Sequence, residues 1–169
     1  MFRPWMMAVV PAFALIACHD SPQAPTSSTG TTPTAARVDR VIGVIARADE
    51  ATFPSSMLLQ PSDGPSITLI GLGLWRLARV VGAEVQVDGT WTAGHRFEMS
   101  GFLVVAVGGR PAADGMLVQT DNGYGLRLGN GSYRALIDPP ESLIAFVGQR
   151  VWVTGPDDAP PNAFGLIGN

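Results

Sequence analysis

The chain has 169 residues, 46% of them hydrophobic and 15% charged, with 11 Lys+Arg against 14 Asp+Glu and a formal net charge of −3. Every one of those cations is an arginine and they are scattered, so the basic groove that phosphate neutralisation demands of a nucleic-acid binder is missing. A single cysteine, Cys18, excludes any disulfide within the chain.

In chain order, Met1 to Pro4 is a short start whose only side-chain charge is Arg3. Trp5 to Ala17 (WMMAVVPAFALIA) is then uncharged and apolar for 13 residues. A membrane-spanning helix needs roughly 20 such residues, and Pro11 would interrupt its hydrogen-bond ladder. A charged start, a short apolar run and a small residue before a cut form the pattern of an export signal, which assigns 1–17 as a signal peptide. Leu15-Ile16-Ala17-Cys18 resembles the lipobox of bacterial lipoproteins. The resemblance covers residues 1–20 alone, and Ile16 is bulkier than the commonest residue there. It implies cleavage before Cys18, a diacylglyceryl group on its thiol and further acylation, palmitate being one such chain, of the new amino group. Two or more acyl chains hold a protein firmly to a bilayer. The folded part would then lie outside the cytoplasm, in the bacterial cell envelope or periplasm, with the membrane as partner through Cys18. The alternative is a cleaved, soluble secreted protein with a chance cysteine.

Residues 18–37 form the anchor and linker, and 19–37 (HDSPQAPTSSTGTTPTAAR) hold hardly an apolar side chain. Such a composition cannot offset its ordering entropy, so a disordered tether is predicted, spanning roughly 25 Å. His19, alone in a polar linker, reads as solvated rather than as a metal ligand.

The remaining 38–169 carry a weak internal repeat. VGAEVQVDG (81–89) reads like VGQRVWVTG (147–155). Leu77 falls on Leu143, Val80 on Phe146 and Ser66 on Ser132, while MLLQPSDG (57–64) lies over YGLRLGNG (124–131) with one residue skipped. Gly43-Val44-Ile45 matches Gly115-Met116-Leu117, and Phe97 matches Phe164. Both copies alternate as half-buried strands do. Asp63-Gly64 and Asn130-Gly131 predict tight turns, and Ser100-Gly101 a bulge within 97–107. One short helix is expected in each copy: 74–82, with Leu74, Leu77 and Val81 on one face, and 138–148, capped by Asp138 and opened by a proline. The last strand of copy two is short and is expected to borrow an edge, with 97–107 a candidate lender.

Three strands, a short helix and two strands resembles the OB-fold, a five-stranded partly open barrel. The predicted class is all-β, mainly strands with short helices: two tandem small OB-like barrels, 38–110 and 111–169. The resemblance implies ligand binding at the loops joining strands 1–2 and 4–5. In copy one these are 48–56, with Asp49, Glu50 and Phe53, and 89–97, with Trp91, His95 and Arg96. Trp91, His95 and Arg96 are the candidate ligand-binding residues, an aromatic face beside two polar donors. The plainer alternative has Trp91 packed over the barrel mouth and the other two solvated. Asp157 and Asp158 read as a solvated turn, not a calcium loop, and Trp75 and Trp152 as core. His95 is the only histidine of this part, and no GxSxG, HExxH, CxxC or phosphate loop accompanies it. The expectation is a non-catalytic binding or adaptor module without cofactor or metal, whose partner is an envelope protein, peptide or glycan. A structural spacer or assembly subunit is the second reading, and a hydrolase with scattered carboxylates the third.

Overall fold

A computed structural model describes residues 38–48 and 55–168. The signal-like stretch, Cys18, the linker with His19, and Asp49, Glu50 and Phe53 lie outside the described residues. The chain is mainly β, as its patterning predicts. Strands β1 (Asp39–Arg47), β2 (Met57–Gln60) and β3 (Ile67–Ile70) lead to helix α1 (Leu74–Leu77), then β4 (Ala83–Thr92) and β5 (Arg96–Val107). The second half repeats that order: β6 (Arg110–Thr120), β7 (Gly123–Leu128), β8 (Tyr133–Leu136), α2 (Glu141–Ile144), β9 (Arg150–Thr154) and β10 (Ala163–Leu166).

The pairings differ in one respect. In the first half β1 lies between β2 and β4, β2 pairs β3, and β4 pairs β5, all antiparallel. β3 then meets β5 in parallel, with Thr68 opposite Arg96. The pairings therefore close on themselves in the order β1–β2–β3–β5–β4–β1. In the second half β6 lies between β7 and β9, β7 pairs β8, and β9 pairs β10. Among the described strands nothing joins β8 to β10, so this half stays open. The expected loan of an edge to the last strand does not occur: β10 pairs β9 alone.

The described residues belong to one compact unit built on two clusters of buried side chains. The first gathers Ile45, Leu59, Leu69, Leu77, Val85 and Phe97 inside the closed half. The second gathers Leu117, Leu126, Leu136, Leu143, Val151 and Val153. Each such side chain contributes roughly 1.5–3 kcal/mol when fully buried. Ile167, just past β10, belongs to the first cluster and is 0% exposed. The tail of the second half thus completes the core of the first.

Local chemistry explains several details. β5 skips a residue against β4 at Ser100, because Met99 faces Gly89 and Gly101 faces Asp88. The extra residue shifts the inward phase from Phe97 and Met99 to Phe102 and Val104. The Ser100 hydroxyl donates to the Asp88 carbonyl at 3.1 Å. The turn predicted at Asn130-Gly131 forms, with the Gly131 N–H donating to the Leu128 carbonyl at 3.0 Å and the Asn130 side chain accepting from the Ser132 N–H at 2.9 Å. Asp63-Gly64 instead lies in a longer bend, 61–66, between β2 and β3.

Both helices are shorter than their sequence patterns suggest. α1 continues as a 3-10 turn over Ala78–Val80, and three residues per turn brings Val80 rather than Val81 onto the buried line of Leu74 and Leu77. Asp138 does not cap α2. Pro140 holds the N-cap position without a side-chain bond, and Asp138 turns the chain at φ 40°. Trp152 packs partly buried against the first cluster, but Trp75 is 42% exposed. Its apolar surroundings in sequence are the inward residues Leu74 and Leu77, while Trp75 faces the other way.

The two halves match residue by residue where the repeat is read. Gly82 and Gly148 hold φ of 84° and 82°, and their N–H groups donate to the carbonyls of Ile45 and Leu117, each at 2.8 Å. A Cβ on Gly43 would come within 2.5 Å of the Gln60 carbonyl oxygen, and one on Gly115 within 2.7 Å of that of Arg127.

Candidate functional site

The β4–β5 hairpin forms one end of the closed half and carries all three residues singled out from the sequence. Trp91 faces Phe97 across the hairpin, and their rings meet edge to face, 5.1 Å apart at 78°. Phe97 points into the core, so Trp91 stands over the end of that core with 46% of its surface exposed. Packing and exposure coexist in this side chain: one edge is seated, the other is available.

Arg96 lies opposite Thr92, one position from the Trp91–Phe97 pair. Successive residues of a strand point to opposite faces, so Arg96 emerges on the other side of the hairpin from Trp91. His95 occupies the turn at φ 58°, exposed, and its carbonyl accepts from the Thr68 N–H at 3.4 Å. The Thr92 hydroxyl donates to the Arg96 carbonyl at 3.2 Å. The backbone of the turn is therefore tied to β3, while the side chains of Trp91 and Arg96 diverge.

A second feature, which sequence reading misses, lies where the halves meet. β5 pairs β6 only at Ala106–Pro111 and Val107–Arg110. Beyond that point the backbone edge of β5 needs other partners, since a buried peptide group left unbonded is costly. Two side chains supply them. Asp114 on β6 accepts the Val104 N–H at 2.8 Å, and Arg150 on β9 donates to the Phe102 carbonyl. The same two residues form a bidentate pair, with both bonds 2.7 Å. The guanidinium also sits 4.6 Å from the centre of the Phe102 ring. Asp114 is 3% exposed. This pair gives β5 the acceptor and the donor that a neighbouring strand would give. A shallow groove of about 250 Å³ runs above it, between Leu103, Ala112 and Leu128. An isolated acid in ADG (113–115) and an arginine in GQRV (148–151) carry no local signal of their meeting.

Arg134 makes a comparable substitution on the open side. From β8 it donates to the carbonyls of Gly155 at 2.7 Å and Pro156 at 3.2 Å. Its Nε lies 2.8 Å from Asp157 Oδ1, a charge contact without an aligned hydrogen bond. Asp157 and Asp158 lie exposed in a turn, as their sequence predicts, and Asp157 also serves as the ion-pair partner of Arg134. A pocket of about 460 Å³ opens beside α2, lined by Asn122, Tyr124, Ile137, Asp138 and Ile144.

Among the described residues no three His, Cys, Asp or Glu side chains gather as metal ligands. No helix among them is long and apolar enough to cross a membrane. Comparison with protein families, with characterised proteins and with solved structures gives no significant match to this chain.

Proposed function

We propose that this chain is a lipid-anchored protein of the bacterial cell envelope whose folded part is a non-catalytic binding or adaptor module. We read its halves as OB-like, the first a closed barrel and the second an open one. The observation that carries the reading is the ring β1–β2–β3–β5–β4–β1 with a helix between β3 and β4. That order resembles the OB-fold layout, whose β4–β5 loop is a usual ligand site. At this loop Trp91 offers a seated, half-exposed aromatic face, the kind of side chain that anchors binding surfaces. The partner would be an envelope protein, peptide or glycan, with His95 and Arg96 reaching it from the turn and the opposite face.

A photo-crosslinker at position 91 of the full-length protein in cells, read by mass spectrometry of the envelope fraction, tests the proposal. One abundant partner supports it. No product above background, with the protein folded and membrane-bound, shifts the reading to the second one. In Trp91→Ala, partner binding should fall at least tenfold, while stability drops by roughly 1 kcal/mol, the worth of one aromatic pair. A structural spacer or assembly subunit is the second reading. The outer edges of β8 and β10, without a strand neighbour among the described residues, favour it. Sedimentation that reports a monomer across concentration would count against assembly through those edges.

A further inference from the structure

The end of the closed half where α1 lies carries side chains that the rim site does not use. Between Gly71 and Gly73, both at positive φ, Leu72 stands 93% exposed. α1 then turns Trp75 outward, with the Arg76 guanidinium 4.9 Å and that of Arg79 5.5 Å from its ring centre. Arg76 Nε is buried without a hydrogen-bond partner. Among the described residues no carboxylate pairs with either arginine. The acid standing beside this loop is Glu98, against Gly71.

The group is held in place. A Cβ on Gly168 would lie 3.5 Å from Trp75 Cζ3 and 3.2 Å from Arg79 Nη1, so the chain tail seats the indole and one guanidinium. In a chain of net charge −3, this is a local reversal of sign around an exposed apolar tip. Leu72 is almost fully exposed, the indole is partly exposed, and two guanidinium groups flank its ring. That combination of side chains suits a bilayer surface, where an aliphatic side chain enters the acyl boundary, Trp lies at headgroup level and Arg meets phosphate. A soluble protein partner would have to supply acids for both cations and an apolar seat for a single projecting leucine. An anionic bilayer supplies both at once.

We propose that Leu72, Trp75, Arg76 and Arg79 form a docking surface for an anionic lipid bilayer. The surface stands on these four residues and not on acylation of Cys18, so the two ideas fail separately. The test uses the full chain carrying Cys18→Ser, with Leu72→Cys labelled by a solvatochromic dye. Asp63→Cys, labelled in the β2–β3 turn at the opposite end of β3, is the control. With vesicles of phosphatidylglycerol and phosphatidylcholine the dye at 72 should shift to the blue, and the dye at 63 should not. Pure phosphatidylcholine vesicles should give no shift.

Arg76→Gln with Arg79→Gln should weaken partition roughly 30-fold, about fivefold for each charge. Leu72→Ser, an exposed change that leaves folding intact, should weaken it without altering its salt dependence. An unshifted dye at 72 on vesicles that carry the protein, equal shifts at 63 and 72, or undiminished binding of the arginine variant each overturn the proposal. So does displacement by millimolar inorganic phosphate, which would make this a site for a free anion.

Discussion

The two halves of this protein are assembled from the same parts and end differently. β5 is 12 residues long, skips a residue against β4 at Ser100 and another at Val105, and so bends far enough to meet β4 along one edge and β3 along the other. β10 is four residues long and reaches β9 only. Closure is thus a property of the last strand, since the first three strands and the helix are arranged alike in both halves. Where an edge lacks a strand neighbour, side chains take its place. Arg134 bonds carbonyls on the open side, and Asp114 with Arg150 bonds the edge of β5.

The difference predicts unequal responses to equal mutations. Leu59 and Leu126 are both 0% exposed and face Ile45 and Leu117 across equivalent strand pairs. Truncation to Ala costs 2–5 kcal/mol depending on how far the site can collapse. A closed ring collapses less, so Leu59→Ala should cost about 4 kcal/mol and Leu126→Ala about 3 kcal/mol in urea unfolding. Equal losses would mean that closure does not stiffen the core.

The seam comes next in size. Asp114→Ala leaves Arg150 partly buried beside an unbonded Val104 N–H, at a cost of about 3 kcal/mol. It should also split one unfolding transition into two if the pair couples the halves. Adding Arg150→Met should recover part of the loss, and a purely additive double variant would show that the two residues act separately.

Smaller still, Gly82→Ala and Gly148→Ala each force a Cβ into the left-handed region with open space around it. About 1 kcal/mol each is expected, equal in the two halves. A clear inequality would show that the halves are not equivalent even at the turn they share. At the bottom of the scale is Arg40→Ala. Its guanidinium donates to Asp88 at 2.7 Å, and that hydrogen bond, followed by the charge of Asp88, raises its pKa. The pair is exposed and screened, so the unfolding midpoint should stay where it is at physiological salt.

Sequence reading recovers what local pattern encodes. The alternation in VQVDG and VWVTG, the turn at Gly131 and the bulge at Ser100 each depend on a few adjacent residues. All three appear in the structure. The equivalence of Leu77 with Leu143 and of Gly43 with Gly115 was legible because identical packing demands leave similar residues. What depends on meetings across the chain was not legible. Asp114 and Arg150 are 36 residues apart, and nothing near either announces the other. Trp75 looks apolar in context, but a four-residue helix has an outward side as well as an inward one. The divergence of Trp91 and Arg96 follows from strand register, which sequence spacing alone leaves open.

Ile167 has a consequence for the order in which the molecule can be made. Domains usually fold as their residues emerge from the ribosome, N-terminal part first. Here the core of the N-terminal half includes a side chain near the other end of the chain, fixed by the Ile167 N–H to the Arg150 carbonyl at 2.9 Å. The half that is synthesised first therefore finishes last. Until Ile167 has been made, the core of that half keeps a gap, so its final packing waits for nearly the whole of the described chain.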